Sequence, residues 1–284
     1  MEAKVSKPSW LKVKIPSGGK VASVSKSLHS RNLHTVCEEA RCPNRAECWG
    51  SGTATFMILG DVCTRNCGFC AVKTGAKGTI VDAGEPRKLA EAVRELKLNY
   101  VVLTSVDRDD LPDRGSKHFA DCVNGIRQMS PEAKIEVLIP DYSESELVNV
   151  VNSKPDVIAH NIEVVERLQS KVRDSRAGYE KSLQVLANSK KLNPHTKTKS
   201  SLLLGLGETK QEVLQTMDDL RKAGCDIIVL GQYLQPTVRQ IQVVEYVTPE
   251  QFVEYRQIAL KKGFLQAVSS PLARTSYKAA EMTL

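Results

Sequence analysis

From residue 53 onward, short runs of apolar and β-branched residues alternate with longer stretches in which apolar positions return every three or four residues. The runs at 53–59, 100–105, 134–139, 156–162, 200–206 and 226–232 read as strands, and they are almost continuously hydrophobic, as strands covered on both faces are. The helical period occupies 85–98, 116–129, 143–152, 164–171, 178–189, 209–223 and 249–262. Six strand-helix units in a row predict an α/β fold, a partial (β/α)6 TIM-like parallel barrel. Residues 1–30 hold Pro8, Pro16, Gly18 and Gly19 with little periodicity and read as an irregular arm anchored by Trp10 and Leu11. The expected division is an N-terminal extension at 1–52, the barrel at 53–263 and a closing segment at 264–284, the last a short strand and a polar turn.

A parallel barrel places its chemistry at the C-terminal ends of its strands. Those ends carry Thr104-Ser105 with the acidic turn Asp107-Arg-Asp-Asp110, then His160-Asn161-Ile-Glu163, Gly205-Leu-Gly207-Glu208 and Gln232-Tyr233. Each has a bland alternative: a glycine turn, helix caps at Asn161 and Glu163, a core histidine at His160.

The loop after the first strand is more specific. Cys63-Thr-Arg-Asn-Cys67-Gly-Phe-Cys70 aims three thiols at one point and offers no fourth. Structural zinc and fully ligated clusters want four ligands, so a 4Fe-4S cluster held by these three would keep one iron open for chemistry. Zinc completed by a distant His or Cys is the alternative, against which the spacing speaks, since zinc motifs pair C-x2-C units about a dozen or more residues apart. A second set, Cys37-x4-Cys42-x5-Cys48, matches no common zinc finger, and Pro43-Asn44 between its thiols calls for a turn. Two three-cysteine sets imply two clusters. Cys122, within a helical pattern, and Cys225, beside a strand, read as packing residues.

Composition adds the compartment and the charge. Eight cysteines without a secretory signal argue for a reducing, cytoplasmic setting, and no run of about 18 apolar residues is present to span a membrane. The 284-residue chain has 40 Lys and Arg against 33 Asp and Glu, a net +7. The basic residues gather only at 189–199, a run that reads as a solvated loop, suited to an acidic protein partner and weak as a sign of nucleic acid.

The C-x3-C-x2-C loop with Phe69 before its last cysteine resembles the signature of radical S-adenosylmethionine enzymes. Paired with C-x4-C-x5-C upstream and with GTATFMILGDVCTRNCGFCAV, VVLTSVDRDDL and GQYLQP, it resembles the lipoyl synthase family over nearly the whole chain, from Trp10 to Tyr277. The resemblance implies two 4Fe-4S clusters. Cys63, Cys67 and Cys70 would hold the radical-generating one, with S-adenosylmethionine on its open iron. Cys37, Cys42 and Cys48 would hold an auxiliary, sulfur-donating one, whose fourth ligand in this family is the serine of an Arg-Ser-Ser-Tyr motif. The motif here is Arg274-Thr275-Ser276-Tyr277, so Ser276 takes that role and Thr275 departs from the pattern. Further departures are Arg114 and Ser201 for glycines, Arg239-Gln-Ile-Gln242 for a His-Leu-Pro type sequence, and Lys278 for histidine.

The activity so implied is sulfur insertion at C6 and C8 of an octanoyl chain on a carrier lysine, a step of lipoate biosynthesis and protein lipoylation. Phe69, Ser105, Asn161, Glu163 and Arg173 would contact S-adenosylmethionine. The implied partners are the octanoylated lipoyl carrier domain of a 2-oxoacid dehydrogenase or the glycine cleavage H protein, a ferredoxin or flavodoxin reductant and an iron-sulfur carrier for cluster repair. No nucleic acid or membrane is expected. The alternative is a radical methylthio enzyme acting on tRNA, which usually adds an RNA-binding domain for which no room is seen after Leu284.

Overall fold

The computed structural model describes residues 6–11, 19–39, 42, 44–50, 53–277 and 279–282. Its elements run α1 (Gly19–Ser30), β1 (His34–Thr35), α2 (Val36–Glu39), α3 (Arg45–Gly50), β2 (Thr53–Ile58), β3 (Val62–Cys63) and β4 (Lys73–Thr74), then α4 (Glu85–Glu95), β5 (Tyr100–Ser105), α5 (Ser116–Met129), β6 (Lys134–Leu138) and α6 (Glu144–Asn152). The second half holds β7 (Val157–Ala159), a 3-10 turn at Glu166–Leu168, α7 (Gln169–Val172), α8 (Tyr179–Leu192), β8 (Lys197–Leu204), α9 (Lys210–Lys222), β9 (Ile227–Gln232), α10 (Pro249–Lys261) and β10 (Gln266–Ser270). Eight strands form one sheet in the order β1-β2-β5-β6-β7-β8-β9-β10. All neighbours from β2 to β10 are parallel, and β1 runs antiparallel to β2. Its two ends are not joined among the described residues, so the barrel is open.

Local sequence explains the elements. In α5 the buried residues Phe119, Cys122, Val123 and Ile126 fall at helical spacing and pack on the sheet's outer face. Replacing a side chain as buried as Phe119 by alanine would cost about 3–5 kcal/mol. Thr209 caps α9, accepting from the Glu212 amide, and Glu212 returns the bond to the Thr209 amide in a capping box. Pro249 opens α10, where an absent amide proton costs nothing. Val101 and Leu103 face the helices, whereas Tyr100 and Val102 pack inside with Ile227 and Val229, against Ala273 and Ala279 of the C-terminal segment. That segment fills the barrel's interior. It passes so close to β9 that a Cβ on Gly231 would sit 2.1 Å from the Ala273 carbonyl oxygen, so only glycine fits there.

Several sequence expectations need correction. The arm at 1–30 is not irregular throughout, because Gly19–Ser30 is helical and buries Val24 and Leu28. Leu11 is the buried anchor, while Trp10 is 43% exposed. The strand expected over 156–162 stops at Ala159, and Glu163 turns the chain with φ +65°. The helix expected over 164–171 is a 3-10 turn followed by one α-turn.

The basic run 189–199 is not a solvated loop: it ends α8 and opens β8, and most of its cations are already engaged. Lys190 Nζ reaches Asp226 at 2.5 Å, Lys191 pairs with Glu144, and Lys199 is fully buried between the two oxygens of Glu136, at 3.0 and 2.9 Å. Tyr100 donates to the same carboxylate at 2.8 Å. Pro43 and Lys278 lie outside the described residues. Among the described residues, no helix is long and apolar enough to cross a membrane.

Candidate active site

At the C-terminal ends of the strands a cavity of about 550 Å³ opens. Its wall brings together all of Cys37, Cys42, Cys48, Cys63, Cys67, Cys70 and Ser276. Phe69, Ser105, Asn161, Glu163 and Arg173 line it too. Gly205, Gly207 and Glu208 are not part of the wall. They form a turn at left-handed φ of +95° and +99°, in which the Glu208 carboxylate accepts from the Gly205 and Leu206 amides.

The loop from Cys63 to Cys70 is held on three sides. Its Thr64 amide donates to the Asp107 carbonyl at 2.9 Å, and its Gly68 amide to the Val172 carbonyl at 2.8 Å. The Ile241 amide donates to the Gly68 carbonyl at 2.9 Å. A Cβ on Gly68 would meet Ile241 Cδ1 at 2.7 Å, so glycine lets the two segments close on each other. Arg65, absent from the sequence expectations, is the loop's buried pin. It makes paired bonds of 3.0 and 2.8 Å to Asp109, reaches Asp141 at 2.6 Å and faces Asp107 at 3.5 Å. The acidic turn thus positions the cysteine loop. An arginine among the cysteines was the sequence signal that could have revealed this.

The upstream cysteines reach the cavity through helical turns. The Cys42 amide donates to the Cys37 carbonyl at 3.1 Å, and the Cys48 amide to the Asn44 carbonyl at 3.0 Å. Asn44 Nδ2 then donates to the Leu272 carbonyl at 2.6 Å, and Tyr277 donates to Glu47, so this segment is tied to the closing segment that bears Ser276. Thr275 is engaged by Asn161, not turned toward solvent. His160 is the core histidine the bland reading expects. Nδ1 bonds the Ile139 carbonyl at 2.8 Å and Nε2 the Ser182 hydroxyl at 2.9 Å, and burial, helped by Arg173, lowers its pKa to about 4. Arg114 is not part of the wall; it reaches Glu146 and Asp141, the latter of which is.

The donors suit iron-sulfur clusters. Burial pushes the thiols of Cys63, Cys67 and Cys70 up to about 11, so thiolates here need the charge of bound metal. Backbone amides favour the anionic sulfurs, Arg65 N at 3.4 Å from Cys63 Sγ and Asp174 N at 3.3 Å from Cys67 Sγ. Among the described residues, no three His, Cys, Asp or Glu are arranged to hold a single ion, and a four-iron cluster asks for a wider triangle with one thiolate per iron. The buried hydroxyl of Ser105 has no hydrogen-bond partner, which leaves a polar atom ready for a ligand.

An open parallel barrel with this cysteine loop defines a radical S-adenosylmethionine enzyme. The chain matches the Radical SAM superfamily over residues 57–220, and residues 2–42 match the N-terminal domain of lipoyl synthase of that family. It is 52% identical over 275 residues to the lipoyl synthase of Marinobacter nauticus, covering 96% of this chain and 79% of that one. The lipoyl synthase of Anaeromyxobacter sp. is 52% identical over 280 residues, covering 98% and 95%. The chain therefore belongs to the lipoyl synthase family, sulfur-inserting enzymes that use S-adenosylmethionine and 4Fe-4S clusters. Solved structures share the fold alone. Methylornithine synthase aligns with TM-score 0.60 at 10% identity over 85% of this chain and 73% of its own. The FeFe-hydrogenase maturase of Carboxydothermus hydrogenoformans aligns with TM-score 0.60 at 11% identity over 93% and 77%.

Proposed function

We propose that this chain inserts two sulfur atoms, at C6 and C8, into an octanoyl chain amide-linked to a lysine of a lipoyl carrier domain. The observation that carries it is the meeting of both cysteine sets and Ser276 in one cavity. In this reading Cys63, Cys67 and Cys70 hold the cluster that binds S-adenosylmethionine, and Cys37, Cys42, Cys48 and Ser276 hold the auxiliary one. When bound, these groups supply a carbon-centred radical able to take hydrogen from an unactivated C–H bond and the sulfur that replaces it.

The chain's own residues bind, orient and shield. Met57, Leu138, Ile139 and Leu203 give the cavity an apolar wall for an alkyl chain, and such a wall keeps water from a reactive carbon centre. Ser105, Asn161 and Glu163 offer polar atoms to S-adenosylmethionine, and Phe69 an aromatic face. Burial raises the Glu163 carboxyl, with Arg173 opposing the shift, and a cationic ligand there would favour its charged form. Arg173 is aimed by Ser182, whose hydroxyl accepts from Nη1 at 2.8 Å.

The working division is 1–52 for the auxiliary ligands, 53–263 for the barrel and 264–284 for the serine. Electrons would come from a ferredoxin or flavodoxin, an iron-sulfur carrier would rebuild the spent cluster, and the setting would be the cytoplasm. The tRNA alternative is not favoured by the relatives. The test is to incubate the reconstituted protein with dithionite, S-adenosylmethionine and an octanoyl-lysine peptide, and to weigh the peptide. Two sulfurs in place of two hydrogens is the expected gain, and an unchanged peptide beside cleaved S-adenosylmethionine would reject the reading.

A further inference from the structure

Three exposed cations that enter no ion pair among the described residues, Lys77, Lys171 and Arg239, lie on segments that border the cavity, away from the basic run that the sequence displays. Two loops and one short helix flank the cysteine loop at the C-terminal end of the barrel. The first, 75–84, follows Thr74 of the cavity wall and starts with the Gly75 amide donating to the Cys63 carbonyl at 2.9 Å; it is pinned further along, where a Cβ on Gly60 would overlap Thr79 and the Gly78 amide donates to Asp110 at 3.3 Å. It nevertheless holds Ile80 98% exposed, with Lys77 exposed three residues before. The second loop follows β9. Gln235 and Pro236 line the cavity, and Gln240 Nε2 donates to the Cys70 carbonyl at 3.0 Å. Between them Val238 is 87% exposed beside the exposed Arg239. The third is α7, where exposed Lys171 precedes Val172, the residue whose carbonyl holds Gly68. Lys77, Lys171 and Arg239 take part in no ion pair among the described residues.

A well-anchored loop that holds a large aliphatic side chain fully in water gives up burial worth roughly 1.5–3 kcal/mol per residue, which a partner can restore. Unpaired cations beside such anchors favour an acidic partner face and speed its encounter. We propose that Ile80, Val238, Lys77, Arg239 and Lys171 form the docking rim for the octanoylated carrier domain, whose contacting face is acidic. The inference rests on the function proposed above. An acyl chain tethered to a protein can reach the cavity only if that protein rests on the surface around its mouth, and these five exposed residues stand on segments that border it. The basic run 189–199 lies at the opposite end of the barrel, where α8 ends and β8 begins, and cannot serve.

The test compares two substrates on the reconstituted enzyme, an octanoylated carrier domain and a short octanoyl-lysine peptide. The variants are Ile80→Asp with Lys77→Glu, and Val238→Asp with Arg239→Glu. Each pair is expected to raise KM for the carrier domain roughly five- to tenfold, as loss of an apolar anchor and a rim charge does. The salt dependence of that KM should flatten, with peptide turnover and iron content unchanged. A carrier KM within about twofold of the parent overturns the proposal, being too small for a lost anchor. A parallel loss on the peptide also overturns it, because it would place these residues in the chemistry. A changed oligomeric state with an unchanged carrier KM would reassign the rim to a second copy of the chain. Peptide turnover by the parent tests the proposed function separately, so the two failures are distinguishable.

Discussion

The hydroxyl of Thr275 donates to Asn161 Oδ1 at 3.2 Å and lies 3.0 Å from Asn161 Nδ2, joining the closing segment to the end of β7 one residue before Ser276. Serine is usual at this place in the family the chain resembles, and threonine keeps the hydroxyl while its methyl adds bulk in a buried position. Thr275→Val keeps the shape and removes both bonds, a loss of about 1–2 kcal/mol that falls on the segment carrying Ser276. Iron and sulfide per chain after reconstitution should fall toward half in Thr275→Val and stay at the parent level in Thr275→Ser. Full occupancy in the valine variant would show that the tether is dispensable.

Arg65 is held by three carboxylates, of which Asp141 is the most buried and also faces Arg114 and Lys181. Removing one charge from a buried cluster leaves its partners uncompensated. Because Asp109 still grips Arg65 through two bonds, the cost is less than that of breaking an isolated pair, about 1–2 kcal/mol. Asp141→Asn should lower the unfolding free energy by that amount and broaden the electron paramagnetic resonance signal of the reduced cluster proposed to sit on Cys63, Cys67 and Cys70. A sharp, parent-like signal would mean that the loop is fixed without this carboxylate.

The pair Lys199 and Glu136 gives a sharper contrast. Both are fully buried inside the barrel, with Tyr100 bonded to the same carboxylate. Lys199→Met should cost about 3–5 kcal/mol by stranding a buried carboxylate. Combined with Glu136→Leu and Tyr100→Phe it should regain most of that loss, which urea unfolding curves of the single and triple variants would reveal. Equal losses in both would mean that packing, not charge, sets the energy.

These residues also mark how far the sequence could be read. The central strands and most helices were legible because burial on both faces writes itself as continuous apolar runs, and the cysteine spacing announced the site. Lys199 was hidden because an inward-facing cation in Lys-Thr-Lys-Ser looks the same on paper as a solvated one, and only its reach past the intervening β7 to Glu136 distinguishes them. Asp141 and Arg65 were missed for a related reason. Their partners lie 27 to 76 residues away along the chain, and a distant pairing leaves no local pattern. The helix at Gly19–Ser30 was obscured by the prolines and glycines just before it.

Arg114 holds a left-handed φ of +47° and uses its guanidinium to grip Glu146, whose carboxyl is drawn down to about 2, chiefly by that contact. A depressed carboxyl pKa adds stability above its ordinary value of 4.5, and that contribution disappears as pH falls toward 2. The site is partly open to water, so screening reduces the effect. Glu146→Gln should lower stability at pH 7 and flatten its decline between pH 4.5 and 2, as followed by thermal unfolding of the cluster-free chain. A parent-like acid slope in the glutamine variant would assign the decline to other carboxylates.

Ser276 shares its cavity with Cys37, Cys42 and Cys48, and its neighbour Thr275 is already committed to Asn161. Oxygen is a harder and more basic ligand for iron than sulfur, so a serine can be displaced where a cysteine would stay. Ser276→Cys should therefore keep or raise the iron content while doubly thiolated product falls by about an order of magnitude or more, the consequence of exchanging a weak ligand for a strong one. Cleavage of S-adenosylmethionine, which the proposed function assigns to the cluster at Cys63, Cys67 and Cys70, should persist, and one chromatographic run can report both. Product formed at the parent rate by the cysteine variant would defeat the idea that this ligand must leave. Loss of both product and cleavage would place Ser276 in the Cys63–Cys70 chemistry instead.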